Sequence, residues 1–194
     1  ISTPPFMTCV LSADGYAALG IAPGAMPGDN AFGAGMKARG AMLDDPAPLL
    51  WDHGYRGELH AMILIGGDAN KSNAAKSKQI DDALAALQAI IPAAVTVVGV
   101  ERGRAYFNGN NDGVEHFGYV DGRSQPLLRE SDIEREDAGS DGTVRWSPKF
   151  PLKQVLVRDP SSSDANAFGS YFVYRKLEQN VKAFRSAEKV LGTK

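Results

Sequence analysis

The sequence predicts an α+β protein, in which helices cover one face of a β-sheet. Three observations favour this class: an alternating apolar run at residues 59–65, a helical apolar stripe over residues 73–90, and a later aromatic, β-branched run. The 194 residues, of which 43% are hydrophobic and 23% charged, are typical of a globular protein. A net charge of -2 provides no broad positive field, so neither nucleic acid nor a membrane is an expected partner.

The first 58 residues are rich in Gly, Pro and Ala and predict mostly loop. One short helix interrupts the loop, because Ser12 can cap residues 13–19 and Gly20 can end them.

A strand, a helix and a second strand are predicted next. The alternating residues 59–65 indicate a largely buried strand, which Gly66 and Gly67 end. The helix over residues 73–90 ends before Pro92, and its apolar stripe consists of Ile80, Leu84, Leu87 and Ile91. Residues 93–101 are rich in Val and predict the returning strand.

The segment 103–164 is predicted to be a long irregular loop, with only residues 154–157 resembling a short strand. A loop of this length in a compact domain is usually functional. Residues 168–175 then predict a strand, and a final helix is marked by Leu177, Val181, Phe184 and Leu191.

Metal sites of the common kinds are not expected. Cys9 is the single cysteine, which excludes an intrachain disulfide and a cysteine-type zinc site. The three histidines, His53, His60 and His116, have no helical zinc-site spacing; His60 is expected to be packed in the core, and His53 to lie in a loop. Residues 108–119 imitate a calcium loop but lack its final Glu.

Two further glycine-containing segments invite a functional interpretation. Residues 66–72 end like a phosphate loop but lack the Gly before Lys71, so a turn before a helix is the better interpretation. Residues 115–126, EHFGYVDGRSQP, hold Asp121 between two glycines on a tight turn. Local chemistry alone leaves open whether Asp121 is a capping side chain or a functional carboxylate.

The pattern GYVDG at residues 118–122, followed by SQP at 124–126, resembles the signature of dye-decolourising (DyP-type) haem peroxidases. The flanking segments 11–21 and 169–179 are also similar in order and spacing, so the resemblance covers most of the chain. The similarity is closest to the longer subfamily that includes fungal enzymes.

The resemblance implies a ferredoxin-like antiparallel sheet, one of two domains that pack around haem b. Residues 1–194 would be the N-terminal domain, incomplete at its start, and the loop 103–164 would carry the signature. Asp121 matches the distal carboxylate that moves a proton during peroxide reduction. The matching cofactor-binding residues are Phe117, Gly118, Gly122, Arg123, Ser124 and Gln125.

The proximal His and distal Arg of the family lie in the second domain, so this chain would supply no metal ligand. A companion C-terminal fragment or domain is therefore the expected partner, with hydrogen peroxide and an aromatic compound as substrates. His116 is a poor axial ligand, because one loop cannot easily place a ligand and the distal Asp on opposite faces of a haem. Cleavage at exposed sites is one expected origin of such a piece.

Two other functions remain open at this point. The chain could be a non-catalytic ferredoxin-like module that keeps the signature as a turn, or a relative that carries haem or removes its iron. A soluble protein is expected, cytoplasmic or secreted, and the sequence does not decide between these compartments because the region of an N-terminal signal is not visible.

Overall fold

The computed structural model describes residues 4–67, 73–116, 119–120, 127–139 and 152–193. They group into two units, one formed by Ile1–Glu101 with Val157–Ser170 and the other by Arg102–Leu156 with Tyr171–Lys194.

The first unit contains three helices and two antiparallel strand pairs in its described part. The helices are α1 (Ala13–Ala18), α2 (Asn30–Ala38) and α3 (Asn73–Ile90). The strands are β1 (Phe6–Leu11), β2 (Ala61–Gly66), β5 (Val157–Arg158) and β6 (Phe168–Gly169). β1 pairs with β2 from Phe6↔Gly66 to Leu11↔Ala61, and β5 pairs with β6. α1 contacts β1 and α3 contacts β2, which confirms the α+β class.

The second unit contains one strand pair and two helices in its described part. The strands are β3 (Tyr106–Phe107) and β4 (Gly113–Val114), which pair antiparallel. The helices are α4 (Glu130–Gly139) and α5 (Val181–Gly192).

Ser12 joins α1 to the chain that enters β2. Its Oγ accepts a hydrogen bond from the Gly15 N–H at 2.9 Å and donates one to the Leu59 carbonyl at 2.6 Å. The first bond satisfies a helix N–H that has no partner inside the helix. The predicted cap of α1 is confirmed, and Gly20 follows the helix with the positive φ of 77° that favours glycine.

Two further predicted helices, α3 and α5, are present in the structure. α3 spans Asn73–Ile90, the predicted range. α5 begins at Val181, because Asn180 accepts a hydrogen bond from the Ala183 N–H at 3.0 Å and caps it. Leu177 therefore lies outside the helix that it was expected to mark.

The prediction that the first 58 residues are mostly loop is wrong at two places. β1 follows Pro4 and Pro5 and pairs along its whole length with β2. α2 begins after Asp29, which accepts a hydrogen bond from the Phe32 N–H at 2.8 Å. The glycines of this region hid α2, whose backbone is kinked at Gly35.

The predicted strand over residues 93–101 is not formed in the described chain, where these residues belong to no strand pair. They lie instead along the turn His53–Tyr55: a Cβ at Gly54 would come 2.7 Å from the Val98 carbonyl oxygen. Of the predicted strand over residues 168–175, only β6 is formed. In both segments the residues favour a strand, but a strand forms only where a partner backbone pairs with it.

The segment 103–164 is less irregular than predicted, since β3, β4, α4 and β5 all fall within it. α4 is stabilised where Arg129 pairs with Asp132 at 2.9 Å, and its first turn carries two carboxylates near the positive end of the helix dipole. The short strand expected at residues 154–157 is displaced, because Leu152–Gln154 form a 3₁₀ turn and β5 begins at Val157.

Apolar side chains are poorly covered throughout the described residues. Gly15 is the one buried residue among them, and no described hydrophobic side chain is buried. Phe6 of β1 is 61% exposed, and Val173 after β6 is 69% exposed. A membrane-crossing helix would need a longer apolar stretch than any helix of the described residues provides.

Replacing Gly15 by Ala tests the contact between α1 and His60, the residue before β2. A Cβ at Gly15 would overlap the backbone oxygen of His60, so Gly15→Ala is expected to lower the free energy of unfolding by about 1–3 kcal/mol. Gly33→Ala is the matched control, because nothing lies within 4 Å of its new Cβ in α2. It should be neutral or slightly stabilising in urea unfolding; equal loss in both variants would contradict the assigned contact.

Candidate functional site

The DyP-like signature follows the β3–β4 hairpin of the second unit, and Asn108 closes this hairpin. The Asn108 Oδ1 accepts hydrogen bonds from the N–H groups of Asn110 and Asp112, both at 2.9 Å. Its Nδ2 donates to the Asp112 Oδ2, also at 2.9 Å. The calcium-like sequence is therefore a hairpin turn, and its residue Asn111 has the positive φ of 64° that Asn tolerates.

The backbone on either side of the signature's first glycine folds back on the hairpin. The Glu115 N–H donates to the Tyr119 carbonyl at 2.8 Å, and Val120 forms an isolated antiparallel bridge with Val114. Tyr119 and Val120 are the last two residues before Asp121. The hairpin therefore holds Tyr119 and Val120, which directly precede the signature carboxylate.

The Tyr119 side chain links the same segment to α5. Its hydroxyl donates a hydrogen bond to the Glu188 carboxylate at 2.6 Å, and its ring meets the Phe184 ring edge-on at a centroid distance of 5.9 Å. The hydrogen bond to Glu188 raises the pKa of Tyr119 above its ordinary value, with partial desolvation and the Glu188 charge adding to it. Tyr119 therefore contacts α5 through its side chain and the hairpin through its backbone.

Beside the signature, the hairpin forms an open hollow with a mainly apolar and aromatic lining. The lining residues are Tyr106, Phe107, Asn108, Val114, Glu115 and His116. The His116 ring packs edge-on against the Tyr106 ring at a centroid distance of 5.1 Å. Tyr106 and Phe107 remain 49% and 59% exposed, so a large flat ligand or another protein surface could cover them.

The other two histidines lie in the first unit. The expectation that His60 is packed in the core is wrong: its side chain is 53% exposed and lies 3.8 Å from the Glu58 carboxylate, because the described residues hold no buried hydrophobic side chain against which it could pack. His53 begins a 3₁₀ turn. Within the described ranges, no three His, Cys, Asp or Glu side chains come together to hold a metal ion.

The predicted site residues themselves lie outside the described residues. They are Asp121, Phe117, Gly118, Gly122, Arg123, Ser124 and Gln125. The phosphate-loop-like segment is described only at Gly66 and Gly67.

Sequence reasoning missed the pairing of Tyr119 with Glu188. The two residues are 69 positions apart, and neither spacing nor composition indicates that they meet. The Asn108 turn, by contrast, carried a local signal, since Asn and Gly cluster between two short apolar runs.

Comparison with known proteins identifies the type of domain. Residues 6–103 match the family model described as the DyP dimeric alpha+beta barrel domain. This match covers half of the chain and includes β1, β2 and α3.

Curated relatives extend the similarity along almost the whole chain. "Multifunctional dye peroxidase DyP2" from Amycolatopsis sp. is 45% identical over 97% of this chain. A "Dye-decolorizing peroxidase" from Mycena epipterygia is 29% identical over 81% of it. These alignments take up 39% and 28% of the two relatives, so the chain spans about two fifths or less of their length.

Solved structures agree with the sequence comparison. DyP2 from Amycolatopsis sp. superposes with a TM-score of 0.84 at 44% identity, covering 99% of this chain and 40% of that one. A DyP-type peroxidase from Anabaena sp. superposes with a TM-score of 0.82 at 37% identity, covering 100% of this chain and 41% of that one. These bacterial proteins are more similar to the chain than the Mycena enzyme is, so the expected closeness to fungal enzymes is not supported.

Replacing Asn108 tests whether its side chain holds the hairpin that precedes the signature. Asn108→Ala removes three hydrogen bonds within the turn and should lower the free energy of unfolding by about 1–2 kcal/mol. Asn108→Asp is the comparison variant: its carboxylate still accepts from both N–H groups but no longer donates to the Asp112 carboxylate, so it separates loss of the acceptor from loss of the donor. Amide hydrogen exchange at Asp112 should quicken in the Ala variant and less in the Asp variant; unchanged exchange in both would contradict this role.

Proposed function

This chain belongs to the dye-decolourising (DyP-type) peroxidase family, and on that premise we propose that it is the N-terminal part of a haem peroxidase. The reaction would reduce hydrogen peroxide and oxidise dyes, phenols or other bulky aromatic compounds. The observation that carries the proposal is the similarity of 97% of the chain to a protein named as a dye peroxidase, at 45% identity. The signature GYVDG, with its ionisable Asp121, also supports it.

The described residues next to the signature fit one wall of a haem site. A haem is a flat, largely apolar macrocycle, and pockets for such ligands are lined mainly by apolar and aromatic side chains. The hollow beside β3 and β4 offers Tyr106 and Phe107, whose rings are about half exposed. Residues 117–118 and 122–125 would complete this wall.

The haem would supply the redox chemistry when it is bound. Asp121 would supply the proton transfer: a carboxylate oxygen accepts a proton from one peroxide oxygen and returns it to the oxygen that leaves as water. A carboxylate performs both halves only while its pKa lies near the working pH.

A companion C-terminal fragment or domain of the same protein would supply the proximal His and the distal Arg. Two findings support this part of the proposal. The chain covers 39% of the length of the DyP2 relative, and its described apolar side chains lack full cover. Burying apolar surface contributes roughly 25 cal/mol per Å², so a partner against these faces would be held firmly.

Replacing Asp121 in the haem-loaded protein tests the proton-transfer role. Asp121→Asn keeps the shape and removes the titrating group, so it should lower kcat for dye oxidation by roughly 100-fold or more. Asp121→Ala should lose about as much, since both variants lack the proton carrier. Asp82→Asn in α3, which removes the carboxylate of an exposed ion pair with Lys78, is the control and should keep full turnover.

Dye oxidation at several pH values, with the haem absorption spectrum recorded for each variant, measures this effect. Full turnover in both Asp121 variants across the pH range would show that the carboxylate is not the proton carrier. A lost haem spectrum in the Asn variant would instead assign Asp121 to binding.

A further inference from the structure

We infer that Tyr119, through its hydrogen bond to Glu188 on α5, is a positioning residue for the signature carboxylate Asp121. The inference rests on the proposed function, because the position of Asp121 affects turnover only where Asp121 moves the proton.

The first observation is that the two residues before Asp121 are held at the backbone. The Tyr119 carbonyl accepts from the Glu115 N–H at 2.8 Å, and Val120 bridges Val114 at the end of β4. These bonds attach the segment to the hairpin through its main chain. This main-chain pairing holds Tyr119 and Val120 against the hairpin, and a link to a helix has to come from a side chain.

The second observation is that the Tyr119 side chain makes this tie. Its hydroxyl reaches Glu188 at 2.6 Å while its ring packs against Phe184, one helical turn earlier on α5. A hydrogen bond to an ionised acceptor is roughly twice as strong as one between neutral groups.

Covalent geometry carries the effect from Tyr119 to the carboxylate. Consecutive Cα atoms are about 3.8 Å apart, so the Cα of Asp121 is at most about 7.6 Å from that of Tyr119. Proton transfer needs heavy atoms within about 2.6–3.2 Å of each other, and a misplacement of about 1 Å can cost up to 100-fold in rate. A looser Tyr119 would therefore reduce the fraction of molecules with Asp121 in a productive position.

The first unit offers a matched pair for comparison. The Tyr55 hydroxyl bonds to the Glu101 carboxylate at 3.1 Å, which is the same chemistry in a part of the chain without the signature. Tyr55→Phe removes an equivalent hydroxyl at a site without the signature, so it controls for a general loss of stability.

The test uses the haem-loaded protein that carries this chain. Tyr119→Phe keeps the ring contact with Phe184 and should lower kcat/KM for hydrogen peroxide roughly 10-fold, with KM for the dye unchanged. Glu188→Gln keeps an acceptor without its charge and should lose less. The double variant should lose no more than Tyr119→Phe alone, because both changes break one bond. Tyr55→Phe should keep the wild-type rate.

The decisive readout is the effect of Tyr119→Phe in the Asp121→Asn background. A residue that acts through Asp121 should have no further effect there, whereas a merely structural residue should lower the rate in both backgrounds alike. Wild-type peroxide kinetics in Tyr119→Phe, or an equal loss in both backgrounds, would overturn the inference. Failure of the proposed function is separately visible, since Asp121→Asn alone would then keep full turnover.

Discussion

Incomplete burial of apolar surface is the constraint on which the rest of this structure depends. Gly15 is the one buried residue of the described chain, and large side chains such as Phe6 and Val173 are more than half exposed. Hydrophobic burial is the dominant favourable term in folding, so a chain of this composition needs another surface to cover these faces. The proposed C-terminal companion would satisfy that need and would supply the residues that a haem site still requires.

The same constraint explains why local interactions dominate the elements that do form. Each sheet of the described chain has only two strands, and an isolated two-stranded sheet is at best marginally stable. Ser12 compensates in the first unit by joining α1 to the entry of β2. Asn108 and Tyr119 do so in the second unit, where they hold the hairpin and the segment that leads to the signature. The described segments beside the signature are thus held by polar hydrogen bonds instead of by a packed core.

The sequence predicted the elements whose signals are local. α1 and α3 were predictable because a cap, an apolar stripe and a breaker lie within one segment. The strands expected at 93–101 and 168–175 depend on partner backbones, so their Val and aromatic residues could not decide the outcome. The signature was recognised from its residues alone, whereas the Tyr119–Glu188 pair required the fold, since its members are 69 positions apart.

The need for a partner is tested most directly by measuring haem binding of the 194-residue chain. The measurement is made with and without a polypeptide that corresponds to the rest of the relatives' length. The chain alone should bind haem weakly, with no stoichiometric Soret band and no peroxide turnover, because its residues would provide one wall of the proposed haem site. Adding the companion polypeptide should restore both signals at one haem per pair. Stoichiometric haem binding with peroxide turnover by the 194-residue chain alone would contradict the need for a partner, and would require an axial ligand among His53, His60 and His116.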